Sequence, residues 1–148
     1  MKSWILSLAL TLSAVPAMAS LTGNWIGWGT WSYQNENDGV KCDTMQMAWT
    51  ETDTSLVLEK GSYDCGVVGM EIDQIKWTRQ GQNILDENQN VVGQYDGTDL
   101  KMTLAGPNPT TKINVSLHQE AGHFDYREVW YTDKEKIYII KGRLFKHQ

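Results

Sequence analysis

A chain of 148 residues, 41% hydrophobic and 21% charged, is long enough for one domain with a core of its own. Its formal net charge is −5, and the charges are dispersed without a basic run. That pattern argues against nucleic acid or an anionic membrane surface as a partner.

The chain opens MKSWILSLALTLSAVPAMA, with Lys2 ahead of a short apolar run and Ala17-Met18-Ala19 at its end. A charged start, an apolar stretch too short to span a bilayer and a small-x-small end are the parts of a signal peptide. Residues 1–19 are therefore expected to be a leader and 20–148 a single exported domain, in the periplasm or the medium of a bacterium. No other stretch is long and apolar enough to predict a membrane span. Cys42 and Cys65 are the two cysteines. In an oxidising compartment they predict one structural disulfide. Neither a CxxC spacing nor a neighbouring histidine favours a metal or redox pair instead.

Short alternating segments fill the rest: 23–33, 40–51, 55–60, 68–79, 82–87, 91–95, 99–105, 112–119, 123–132 and 136–146. Polar turn signals punctuate them, among them Lys60-Gly61, Asp96-Gly97, Gly106 to Pro109 and Ala121-Gly122. Helical period is nearly absent. The fold class is all-β. Hairpins joined in order predict a single antiparallel up-and-down barrel of about eight to ten strands, closed because closure removes the sheet edges. Each strand has one apolar face: Leu100, Met102 and Leu104; Ile113, Val115 and Leu117; Met45, Met47 and Trp49; Phe124, Tyr126 and Trp130 with Glu128 among them.

The first segment, LTGNWIGWGTWSY, sets its largest side chains beside its smallest. Its odd positions put Gly23, Trp25, Gly27, Gly29, Trp31 and Tyr33 on one face. If that face is interior, Trp25 plugs one end, while Trp31 and Tyr33 line the other. Gly27 and Gly29 then either leave open space or only permit the sharp coiling of a small barrel. Gly23-Asn24-Trp25 opening the first strand resembles the calycin barrels, the lipocalins, avidins and lipocalin-like exported bacterial proteins. SLTGNW, residues 20–25, is similar to an avidin start. The likeness implies that Trp25 closes the barrel floor and that an arginine of the last strand packs across it. Arg143 in KGRLF is the matching residue and Arg127 the substitute. The lipocalin TDY segment and the helix before the final strand are absent.

Trp31, Tyr33, Met47, Trp49, Trp77, Tyr126, Glu128 and Trp130 are the expected lining of a ligand cup, since Trp and Tyr join apolar area to a polar tip. Met45 and Met102 add adaptable surface. The competing reading is an ordinary packed core. Glu128, between Tyr126 and Trp130 on an inward face, must be paired, hydrogen-bonded or protonated. It orients a ligand, pairs with a structural cation, or sits in water at the rim. His118, His123 and Asp125 read as solvated side chains rather than metal ligands, and no cofactor is implied. No GxSxG, HExxH or P-loop appears, so no enzyme is expected. Two classes remain. One is an exported barrel holding a small apolar or amphipathic molecule. The alternative is a protein–protein interaction module such as a secreted protease inhibitor. An open cavity of a few hundred cubic ångströms favours the first; a filled core with an exposed apolar rim or tail favours the second.

Overall fold

A computed structural model describes residues 20–34, 37–133 and 135–148. The expected leader, 1–19, lies outside the described residues. Eleven strands follow in chain order: β1 (Gly23–Tyr33), β2 (Val40–Glu51), β3 (Ser55–Asp64), β4 (Gly69–Ile72), β5 (Ile75–Gln80), β6 (Asn83–Leu85), β7 (Val91–Tyr95), β8 (Asp99–Ala105), β9 (Thr111–Glu120), β10 (His123–Thr132) and β11 (Glu135–His147). Apart from β4 and β5, which both pair with β3, neighbours in sequence are neighbours in the sheet, all antiparallel, and β1 pairs with both β2 and β11. The result is a closed up-and-down barrel of ten strands, because β4 and β5 lie end to end along β3 in one unbroken register. Among the described residues no helix is long and apolar enough to cross a membrane.

Two segments depart from the sequence reading. Lys60-Gly61 is not a turn: β3 runs on to Asp64, and the register shifts between Ala48 and Trp49 on its partner. Glycine within a strand often marks such a bulge. Here Gly61 packs against Ile72, whose side chain would lie 3.2 Å from an added Cβ. The expected single strand 68–79 is interrupted at Asp73-Gln74, which separates β4 from β5.

Alternation holds along most strands. Met45, Met47 and Trp49 are buried, as are Leu100, Met102, Val115, Leu117, Phe124, Tyr126 and Glu128. Cys42 and Cys65 form the disulfide, tying β2 to the turn after β3. The glycines of β1 answer to closure rather than to open space. A Cβ on Gly27 would stand 1.9 Å from the Arg143 carbonyl oxygen, and one on Gly29 1.9 Å from that of Lys141. What occupies the inside there is Met45, whose Sδ would lie 2.5 Å from a Cβ on Gly29 and 2.3 Å from one on Gly142. The three glycines let β1 and β11 approach closely, and the methionine fills the hollow they leave.

One end of the barrel is shut. Trp25 is fully buried, packs on Phe124 at 4.9 Å between ring centroids and donates its indole N–H to the Leu21 carbonyl at 2.7 Å. Arg143 does not cross it. Leu144 faces inward, so strand parity sends Arg143 outward, where it makes a two-pronged pair with Asp125 at 2.6 and 2.8 Å. Arg127, flanked by the inward Tyr126 and Glu128, is excluded by the same parity. Lys146, two residues beyond Leu144 and opposite Trp25 in the ladder, sets its ammonium 5.4 Å from the centre of the Trp25 ring. The chain entering β1 is held by Glu51, which accepts from the Leu21 N–H at 3.0 Å and from the Tyr95 hydroxyl at 3.3 Å, and pairs with Arg79 at 2.7 Å.

Candidate functional site

The other half of the barrel is hollow. A cavity of about 340 Å³ is enclosed by Met47 and Trp49 of β2, Leu58 of β3, Met70 and Ile72 of β4, and Ile75 and Trp77 of β5. Met102 and Leu104 of β8, Ile113 and Val115 of β9, and Tyr126, Glu128 and Trp130 of β10 complete it, with two further acidic residues, Glu71 of β4 and Asp73 just after it. The cause of the hollow is strand length. β6 and β7 are three and five residues long, and β8 pairs with β7 only from Leu100 to Met102. Among the described residues, Gly69–Ile72 and Ile75–Trp77 pair with β3 along one edge and with no strand along the other. A side window therefore opens between β4–β5 and the far end of β8, flanked by Ile72, Ile75 and Leu104. A broader trough of about 590 Å³ crosses the outer wall past Trp28 and Arg143, but it is more open to solvent.

Six of the eight residues expected to line a cup do so: Met47, Trp49, Trp77, Tyr126, Glu128 and Trp130. The other two do not. Trp31 is partly buried at the rim, 5.5 Å from Tyr138, and Tyr33 is 54% exposed beside the same ring at 6.0 Å. The inward odd face of β1 ends before Tyr33, because Ser32 is buried where strict alternation would leave it outside.

Glu128 is the polar centre. It is 4% exposed, and its cross-strand neighbours, Val115 and Ile140, are both apolar. The Tyr126 hydroxyl donates to Oε2 at 2.5 Å, and the Trp130 indole N–H donates to Oε1. Alternation by two places all three side chains on one inward face of β10, so the spacing Tyr-x-Glu-x-Trp builds the cluster locally. Burial pushes the Glu128 carboxyl above its ordinary value, against the two hydrogen bonds that pull it down. Burial and the nearby carboxylate push the Tyr126 phenol well up, and the same causes act on Tyr63 across the barrel. Three strands round the wall, Trp49 stacks on Trp77 at 6.3 Å, and its buried indole N–H has no acceptor.

Sequence reasoning missed Lys146, the β4 side of the cup and the Trp49 donor. Lys146 was accessible by extending the parity of Leu144 two residues further. The β4 side was not, because its role depends on the break at Asp73-Gln74. His118 pairs with Asp99 at 2.9 Å and His123 packs on Phe145, and among the described residues no three metal-ligating side chains converge.

No protein-family model matches the chain, and no curated protein is significantly similar to it. The ten-stranded closed antiparallel barrel is compatible with a calycin-like architecture.

Proposed function

We propose that this protein is an exported, lipocalin-like carrier that holds a small amphipathic molecule in the cup, and that it catalyses no reaction. The observation that carries the reading is the mostly apolar cavity of about 340 Å³, shut at the Trp25 end and open through the side window, with the buried Glu128 carboxyl and an unpartnered N–H in its wall. Binding sites of this kind join a mostly apolar lining to a few placed polar groups. The disulfide and the leader-like start support a periplasmic or secreted location.

The test is titration with N-phenyl-1-naphthylamine, uncharged at neutral pH, following its emission and that of the tryptophans. Saturable binding is expected in the wild type. Ile113→Phe, which puts extra carbon into the cup from β9, should weaken it at least about tenfold, or about 1.4 kcal/mol, with the β-sheet circular dichroism unchanged. Unsaturable binding, or equal binding by the variant, would refute the carrier reading. A second reading, the interaction module, is supported by one outer-wall patch. There Trp28, 55% exposed, stacks on Phe145 at 5.3 Å beside Ile26. It predicts that Trp28→Ala abolishes partner binding while the cup takes up nothing.

A further inference from the structure

The wall chemistry narrows the class of ligand, an inference that rests on the carrier reading. Each oxygen of Glu128 accepts one neutral donor, from Tyr126 and from Trp130. No cationic side chain is among the groups that bear on its charge. A carboxylate offers about four acceptor positions, so two remain open. Trp49 and Trp77 line the same cavity with Tyr126 and Trp130. None of these rings carries a charge, so the two neutral donors are the partners the carboxylate has, and an aromatic face turned to the cavity is itself attractive to a cation. A buried charge left without a partner is costly, and a ligand that neutralises it recovers that cost on binding. An anionic ligand would meet repulsion from the same groups.

We propose that the cup selects an organic cation: a protonated amine or quaternary ammonium on an apolar, aryl-sized body, its charge seated against Glu128 among the tryptophan rings. The body fills the side bounded by Met102, Ile113 and Val115. The Trp49 N–H, a donor without an acceptor, takes an ether, hydroxyl or carbonyl oxygen where the ligand carries one. The side window admits a molecule of this shape without unfolding the closed end.

The experiment is a matched series on one skeleton: 4-phenylbutylamine, 4-phenylbutan-1-ol and 4-phenylbutanoate, titrated calorimetrically at neutral pH into the wild type and Glu128→Gln. Gln keeps an acceptor oxygen for Tyr126 or Trp130 and removes the charge. The wild type is expected to bind the amine at least about tenfold more tightly than the alcohol, a difference of about 1.4 kcal/mol, and the carboxylate most weakly. In Glu128→Gln the amine should fall to the level of the alcohol, while the alcohol changes little. Equal binding of amine and alcohol by the wild type, preference for the carboxylate, or an amine preference that survives Glu128→Gln overturns the inference, the last because Glu71 or Asp73 of the lining, and not Glu128, would then meet the charge. The same holds if all three fail to bind while N-phenyl-1-naphthylamine still saturates. Failure of the naphthylamine as well rejects the carrier reading itself. Should the variant fail to fold, the wild-type series alone decides.

Discussion

Gly29→Ala tests whether the glycines of β1 serve closure. The added methyl would stand 1.9 Å from the Lys141 carbonyl oxygen, 2.5 Å from Met45 Sδ and 2.8 Å from Gly142 Cα. Close carbon–oxygen contacts across a sheet run at about 3.3–3.6 Å, so the shortfall is well over an ångström. Two of the three atoms belong to the backbone, and no rotamer change can move them. β1 and β11 must therefore part within the ladder from Asn24–His147 to Tyr33–Tyr138, the seam that closes the barrel. Overpacking of this sort costs about 1–3 kcal/mol. Losing one or two ladder hydrogen bonds adds about 1 kcal/mol each, for a total of about 2–5 kcal/mol. Gly69→Ala is the control, since its methyl would meet only the Tyr63 carbonyl oxygen at an ordinary 3.6 Å. Its expected effect is within about 0.5 kcal/mol, as for most surface changes. Urea unfolding followed by circular dichroism compares the two. A Gly29→Ala loss below about 1 kcal/mol, indistinguishable from the control, would refute the close-approach account.

Burial raises the Glu128 carboxyl, so the folded chain holds that proton more firmly than the unfolded chain. The associated stability is present below the ordinary value of 4.5 and is lost as pH rises through the raised one. Glu128→Gln cannot titrate there, so its melting temperature relative to wild type should climb as pH is raised from 4.5 towards neutral; a gap that stays flat or narrows contradicts this. Tyr126 and Tyr63, the phenols that share its field, are both pushed above their usual range and stay protonated across that window. The Cys42–Cys65 bridge spans 23 residues of sequence, and its reduction should cost about 3 kcal/mol. Thiol labelling of unfolded, unreduced protein should find no reactive cysteine, and two labelled residues would contradict the bridge.

Strand positions, the all-β class and most of the cup were legible in the sequence because alternation by two is a local property. Met47, Trp49, Tyr126, Glu128 and Trp130 each share parity with apolar neighbours on their own strand, and that parity alone turned them inward. The same counting around Leu144 would have sent Arg143 outward and Lys146 inward. There the family resemblance outweighed the residue pattern, and the pattern was right. What the sequence could not contain was any distance between strands. Gly27 and Gly29 read equally well as open space or as a means of coiling the strand until the β11 carbonyls are seen beside both and Met45, from a third strand, over Gly29. The hollow depends on β6 and β7 being too short to cover β8, and on β6 reaching only Thr78–Gln80 of β5, so that one edge of β4 and of the start of β5 is left unpaired. Those are outcomes of register and closure, which only the assembled barrel decides: each strand's pattern sets which side chains point inward, but only the packing of all ten determines how much room they leave.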